Sequence, residues 1–339
     1  MAHPTLPSIR SFGFHCADAE ALARFYSERL GLQRDGTLEL AGTYAELVGL
    51  PGSRLKLVVL RAGAERLELC QVLELGPGLR PGRPVPADAR SNDLSFQHVC
   101  LVTADLEAAA APLRADLAAG RLRPISTAPQ TLPADNPAAA GIRAFKLRDP
   151  EGHALELLQF PPDKGEARWH AVTGAVTGAA AGPAGRPVAV LGIDHSALGV
   201  SDSDRSMRFY EGLLGLRLAG DGVNHGPEQD RLDGLEGTRV RITAHRCPSG
   251  PGLECLDYRA PAGGRPMPGD RSAADLEPWQ IRLAVADLAA ITAGLEAAGG
   301  VAISPGPLTL DSHSAERLGF RRALQVHDPD GHALQLVSD

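Results

Sequence analysis

The pattern of apolar and polar positions indicates short strands that are closed by tight turns. The clearest case is residues 149–160, DPEGHALELLQF, where an Asp-Pro-Glu-Gly turn precedes an apolar run of strand length. Glu156 lies in the middle of that run, and a buried carboxylate is costly unless a cation such as a metal ion pairs with it. The chain ends on the same pattern, DPDGHALQLVSD, with Gln335 at the equivalent position.

The order of strand and helix patterns repeats along the chain. An alternating strand ending at Asp18 is followed by a helical segment that contains Arg-Phe-Tyr and closes at Leu-Gly-Leu, and the same order recurs after Asp202. Fainter copies begin at Phe96 and Trp279, each with an Ala/Leu-rich helix. Apolar segments of strand length follow the helices. We therefore predict four modules, each built as strand, helix and about three strands.

The modules fall into two halves, which suits a chain of 339 residues. Between the halves the sequence is rich in Gly, Ala and Pro, the composition of a linker. The predicted boundaries are 1–162 for the N-terminal half (modules about 8–80 and 94–160), 163–188 for the linker, and 189–339 for the C-terminal half (modules about 190–262 and 277–338).

Composition and charge narrow the class of protein. The net charge of -7 and the lack of a basic run interleaved with aromatic residues argue against nucleic acid or an anionic membrane as partner. The five cysteines are isolated, so neither a disulfide framework nor a cysteine zinc site is indicated. Without a signal-peptide pattern or a long apolar run, a cytoplasmic protein is expected, as a monomer or homodimer acting on a small molecule.

The four modules, with helices ending RFY…LGL and strands reading DPEGHALEL, resemble the vicinal oxygen chelate superfamily. That superfamily includes glyoxalase I, extradiol ring-cleaving dioxygenases, and the bleomycin and fosfomycin resistance proteins. The resemblance implies an α+β fold in which the modules pair into two incomplete eight-stranded barrels with the helices outside. It also implies a divalent metal inside a barrel, held by one residue from the first strand and one from the last strand of each module.

The resemblance assigns two ligand positions to each module of this chain. From the first to the fourth module they are Ser11 and Glu68, His98 and Glu156, His195 and Glu254, and Gln280 and Gln335.

Two pairings of modules are known in such chains, and they place these residues differently. If neighbouring modules pair, His98 and Glu156 share a barrel with Glu68, and His195 belongs to the other barrel. If the middle modules pair, one barrel collects two imidazoles and two carboxylates, a full set for a divalent ion. We favour the middle pairing, with the metal ligands His98, Glu156, His195 and Glu254, and a second, depleted site of Ser11, Glu68, Gln280 and Gln335.

Such a metal, whether Fe, Ni, Zn, Mn or Co, would chelate two neighbouring oxygens of a substrate and stabilise an enolate as a Lewis acid. Glu156 or Glu254 would then be the catalytic base, in a glyoxalase-like lyase or isomerase. Two alternatives stay open at this point. One is an iron(II) extradiol-type ring-cleaving dioxygenase, an oxidoreductase, and the other is a metal-free protein that binds or sequesters a small molecule.

A few further polar residues are candidates for substrate contact. Arg143 and Lys146 precede the last strand of the second module, and His225 and His245 lie in the third. His153 and His332, by contrast, both follow an Asp-Pro-X-Gly turn. Because this turn recurs in the module with the weakest ligands, we expect turn residues there, not catalysts.

Overall fold

A computed structural model of the chain describes residues 6–170 and 190–339, so residues 171–188 of the predicted linker lie outside the described residues. The division into halves at that linker stays a prediction. Among the described residues, no helix is long and apolar enough to cross a membrane.

The first two modules follow the predicted order of strand, helix and strands, with short additions. The first contains β1 (Ser8–His15), α1 (Ala19–Leu30), β2 (Gln33–Leu40), α2 (Thr43–Leu47), β3 (Arg54–Ala62) and β4 (Glu65–Glu74). The second contains β5 (Gln97–Val102), α3 (Leu106–Ala118), β6 (Arg123–Pro124), β7 (Gln130–Thr131), β8 (Arg143–Arg148) and β9 (Ala154–Gln159), followed by a 3₁₀ turn, Ala167–Trp169.

The last two modules repeat this order. The third contains β10 (Gly192–Gly199), α4 (Ser203–Met207) with a π-helical continuation (Arg208–Leu213), β11 (Arg217–His225), α5 (Pro227–Asp233), β12 (Arg239–Arg246) and β13 (Gly252–Ala260). The fourth contains β14 (Pro278–Ala284), α6 (Leu288–Gly294), β15 (Val301–Ala302), β16 (Leu308–Thr309), α7 (Ser312–Leu318), β17 (Arg322–His327) and β18 (Ala333–Ser338).

The middle modules share one sheet and the outer modules share the other. The inner sheet has the order β11-β12-β13-β10-β5-β9-β8-β6, with β7 also on β8. The outer sheet has the order β15-β17-β18-β14-β1-β4-β3-β2, with β16 also on β17. Neither order closes on itself, so the α+β fold of two incomplete barrels is confirmed. The sheet topology also confirms the pairing of the middle modules.

Within residues 6–170 and 190–339, each sheet has nine strands and not the predicted eight. The extra strand arises because the strand after the helix is split in the second and fourth modules, into β6 and β7 and into β15 and β16. The interruptions, ISTAP and ISPGP, contain Pro129 and Pro305, and proline lacks the N–H that a strand ladder needs.

Aspartates begin the helix that follows the first strand of every module. Each is the N-cap residue, and its carboxylate accepts hydrogen bonds from two backbone N–H groups of the first turn, which would otherwise lack partners. The four are Asp18, Asp105, Asp202 and Asp287. This shared cap fixes the point at which each first strand ends, and so the positions of the side chains along it.

The Asp-Pro-X-Gly-His turns fix the start of the last strand. One Asp149 carboxylate oxygen accepts the backbone N–H groups of residues 151–153, and the other accepts the hydroxyl of Tyr26 at 2.9 Å. His153 bonds this second oxygen through Nδ1 at 2.8 Å, and its Nε2 lies 2.8 Å from the His15 carbonyl oxygen. The buried His153 therefore ties the turn to β1, in accordance with a structural role.

Candidate metal centre

Strand pairing brings the four predicted ligands of the middle modules to one face of the inner sheet. In the antiparallel β5–β10 pair, His98 opposes Ala197 and His195 opposes Cys100. In the two parallel pairs, Glu156 is level with Cys100 and Glu254 is level with Ala197. Because alternate residues of a strand share a face and paired residues point the same way, all four side chains converge.

The converging atoms are spaced like ligands of a single ion. His98 Nε2 lies 3.3 Å and His195 Nε2 3.7 Å from the same Glu156 oxygen, Oε2. Bonds of about 2.1 Å to one ion place neighbouring ligand atoms about 3.0–3.4 Å apart. One ligand atom from each of His98, Glu156 and His195 lies within 4.8 Å of the others. Glu254 is outside this group and approaches His195 Nε2 at 3.5 Å.

The two imidazoles present buried nitrogen atoms without hydrogen bonds. Among the described residues, neither His98 Nε2 nor His195 Nε2 has a hydrogen-bond partner, although the residues are only 2% and 4% exposed. Buried polar atoms without partners are costly, and two aimed at one carboxylate are well suited to a divalent ion. The residues present therefore fit a metal of the kind that the superfamily resemblance implies.

The surroundings shift the pKa values of the two histidines in opposite directions. Burial lowers the pKa of His98 to about 4, so its imidazole is neutral at neutral pH and free to bind a metal. Burial also works to lower the pKa of His195, but the nearby Glu254 and Asp194 carboxylates outweigh it and raise that pKa above the ordinary value.

Asp194 orients His195 and was not anticipated from the sequence. Its Oδ2 lies 2.9 Å from His195 Nδ1 and accepts a bond of 2.6 Å from the Arg246 guanidinium. A carboxylate on Nδ1 favours the tautomer with the proton at that atom, which leaves Nε2 free as a ligand atom. The adjacent Asp-His pair in the strand GIDHSALG was the available signal.

The centre opens into a cavity of about 710 Å³. The predicted substrate contact Lys146 lines this cavity, as do the four converging side chains and Arg246. Arg143, His225 and His245 do not line it. Arg143 bonds Glu107 at 2.8 Å, the exposed His225 ends β11, and the buried His245 packs beside the Tyr210 ring.

The second predicted site, in the outer sheet, is filled by a side chain of the chain itself. Strand pairing places Ser11 level with Arg282, and Arg282 level with Gln335. In the inner sheet the same three positions are occupied by His195, Cys100 and Glu156, in that order. The buried Arg282 guanidinium donates to Gln335 at 2.7 Å, to Ser11 at 3.3 Å and to Glu68. A permanent cation thus lies where three of the four predicted ligands meet.

Arg282 was missed by the sequence reasoning, although a signal was present. It stands two residues after the predicted ligand Gln280, in the apolar strand WQIRLAVAD, and so shares its face. Gln280 is buried, and neither polar atom of its side-chain amide has a hydrogen-bond partner among the described residues.

Comparisons with known proteins agree with this architecture. Residues 192–336 match the Glyoxalase/Bleomycin resistance protein/Dioxygenase superfamily. The crystal structure of glyoxalase I from Zea mays is similar with a TM-score of 0.60 at 14% identity, covering 98% of this chain and 92% of that chain. A putative dioxygenase from Bacillus subtilis is similar with a TM-score of 0.53 at 14% identity, covering 100% of this chain and 86% of that chain.

No curated protein matches the sequence. At 14% identity the structural likeness shows the fold alone. Together with the superfamily match, it confirms the resemblance to the vicinal oxygen chelate superfamily that the repeats predicted.

Proposed function

We propose that this chain, which has the fold of the vicinal oxygen chelate superfamily, is a metal-dependent enzyme of the lyase or isomerase type. The observation that carries the proposal is the convergence of two imidazole nitrogens on the buried Glu156, with the carboxylate of Glu254 beside them. Neither nitrogen has a hydrogen-bond partner in the described part of the chain. His98, Glu156 and His195 would hold one divalent ion. When bound, that ion supplies Lewis-acid stabilisation of negative charge on chelated substrate oxygens.

The two carboxylates are placed for different roles. Glu156 faces both imidazoles and its side chain is only 8% exposed, which suits a fixed ligand. Glu254 approaches the imidazole of His195, and its side chain is 22% exposed and lines the cavity. In our proposal, Glu254 removes a proton from the hydroxyl-bearing carbon next to a substrate carbonyl and returns it to the carbonyl carbon, while the substrate hydroxyl proton passes to the former carbonyl oxygen. The proton therefore moves between two substrate carbons without net consumption.

The cavity walls favour such a transfer because they surround the charged centre with apolar side chains. Apolar side chains from both middle modules line the space beside the polar centre, among them Leu158, Ile242 and Leu256. Electrostatic interactions between a substrate oxyanion and the centre are stronger in such surroundings than in water.

The test is deuterium exchange on a simple hydroxyketone. The protein is loaded with nickel, cobalt or zinc without air, and exchange at the carbons of hydroxyacetone in D₂O is followed by NMR. We expect Glu254→Gln to keep the metal and to lose exchange by roughly 100-fold or more, whereas Glu156→Gln loses the metal itself. Glu236→Gln, at an exposed site away from the cavity, is the matched control. Full exchange in Glu254→Gln would contradict the assignment of the base.

A second candidate function is favoured by the composition of the three-residue cluster. His98, His195 and Glu156 are two histidines and one carboxylate, the ligand set that non-haem iron(II) oxygenases use. Ring cleavage would be favoured if the iron(II)-loaded protein consumes O₂ with catechol and the nickel and cobalt forms give no deuterium exchange. Protein that retains no divalent ion at all would favour the metal-free binding alternative.

A further inference from the structure

A buried lysine lies beside the proposed ligands, on the side away from the imidazoles. In the antiparallel β8–β9 pair, Lys146 opposes Glu156, so both side chains point to the cavity face. The Lys146 Nζ is 4.0 Å from Glu156 Oε1, whereas Oε2 of the same carboxylate faces the histidines. A positive charge and the proposed metal position therefore flank one carboxylate.

Lys146 is held in place by a carboxylate that is itself fixed. Its Nζ donates to Asp233 Oδ1 at 2.7 Å, and the Asp233 side chain is fully buried. The other oxygen of Asp233 accepts a bond of 2.7 Å from Gln229, whose own amide oxygen accepts one of 3.0 Å from Asn224. This chain of bonds anchors the lysine from α5 and β11, across the cavity from its own strand.

The ammonium keeps donors available for a ligand. It carries three N–H groups, and within the described part of the chain only Asp233 accepts a hydrogen bond from Nζ. Glu156 Oε1, at 4.0 Å, is too distant for one. The side chain is only 5% exposed, so water has little access to these donors. A buried ammonium with free donors in a cavity wall suits an anionic ligand.

The outer sheet shows that the module does not need a cation at this position. There, Gln325 opposes Gln335 in the register in which Lys146 opposes Glu156, and Gln325 is equally buried. The strand pairing therefore does not require a lysine at this position. The lysine occurs in the sheet that carries the proposed metal ligands.

We infer that Lys146 is a substrate-binding residue that selects compounds with an ionised carboxylate next to the two chelating oxygens. The substrate class is then the small hydroxy- or keto-carboxylates, and not their neutral analogues. This inference rests on the proposed metal-dependent function, since the chelating oxygens need the ion.

The experiment uses two ligands that differ only in the group meant for Lys146. Hydroxypyruvate and hydroxyacetone share the hydroxyketone, but the first has a carboxylate where the second has a methyl group. Each is titrated into the cobalt-loaded protein, and binding is followed by the visible absorption of cobalt. In Lys146→Gln we expect hydroxypyruvate to bind roughly 10- to 100-fold more weakly, and hydroxyacetone to change by less than about threefold.

Two further variants separate the charge from other effects. Lys146→Met combined with Asp233→Asn should show the same selective loss, because it too removes the ammonium but leaves no buried carboxylate without a cation. Lys56→Gln removes a lysine that pairs with Glu20 outside this cavity and should leave both affinities within about threefold of wild type. The inference would be overturned if the Lys146 variants lose affinity equally for both ligands or show no change in affinity. Loss of cobalt from these variants would also overturn it.

The design distinguishes this inference from the function on which it rests. A wild-type chain that retains no cobalt overturns the proposed function and the role of Lys146 with it. A chain that retains cobalt, but whose Lys146 variants do not discriminate between the two ligands, overturns the role of Lys146 alone.

Discussion

Replacing Arg282 by methionine should destabilise the outer sheet severely while leaving the inner centre intact. The guanidinium lies between Glu68, Gln335 and Ser11, and the side chains of Arg282 and Glu68 are only 5% and 3% exposed. Methionine fills much of the volume but removes the charge. Glu68 would then be a buried carboxylate without a cation.

The expected cost follows from that buried, unpaired charge. Breaking a buried ion pair by removing one partner costs about 3–5 kcal/mol, a large part of the roughly 5–15 kcal/mol that stabilises a folded domain. Removing both charges, in Glu68→Gln with Arg282→Met, leaves no charge to desolvate. The double variant should therefore recover at least about 2 kcal/mol relative to the sum of the two single changes.

Equilibrium urea unfolding of the four proteins in this double-mutant cycle measures the coupling. Arg66→Met is the matched control on β4, the strand that carries Glu68, because the 45% exposed Arg66 side chain faces Asp35 at 3.4 Å and should contribute less than about 1 kcal/mol. The reasoning would be refuted if Arg282→Met is as stable as the control. It would also be refuted if the double variant loses as much free energy of unfolding as the two single variants together.

Three other predictions follow from the same contacts. Asp194→Asn should weaken metal binding by roughly 10- to 100-fold, measured by competition with a chelator, because the variant no longer orients His195 through a charge. Metal affinity should fall as the pH drops through the raised pKa of His195, since protonated imidazole cannot bind a metal. Unchanged affinity between pH 8 and 5.5 would argue against His195 as a ligand. Tyr26→Phe removes a buried hydroxyl bond to Asp149 and should cost about 1–3 kcal/mol in urea unfolding without loss of metal, and retention of wild-type stability would argue against that anchor.

The repeat register was predictable because it is local. Capping aspartates and Asp-Pro-X-Gly turns fix where each first and last strand begins and ends, so equivalent positions could be aligned from the sequence. His98 and Glu156 belong to one module, and their approach to 3.3 Å follows from that register. Side-chain periodicity was enough for this part of the centre.

The pairing of modules was not fixed by local pattern. Whether β5 joins β10 or a strand of the first module depends on contacts between distant parts of the chain, and the sequence supported one choice by its chemistry only. The roles of Arg282 and Asp233 depend on that pairing as well. Arg282 meets Glu68 from the opposite end of the chain, and Asp233 reaches Lys146 from another module. In the sequence, such long-range contacts are indicated at most by a charged residue within an apolar strand.

The most direct measurement of the central claim is the cobalt content of purified, cobalt-loaded protein after dialysis, for wild type, His98→Ala and His195→Ala. Because the two imidazoles come from different modules but approach one Glu156 oxygen, wild type should hold about one ion per chain, with the outer centre filled by Arg282. Each alanine variant should hold almost none. Two ions in wild type, or full cobalt in either variant, would contradict the account.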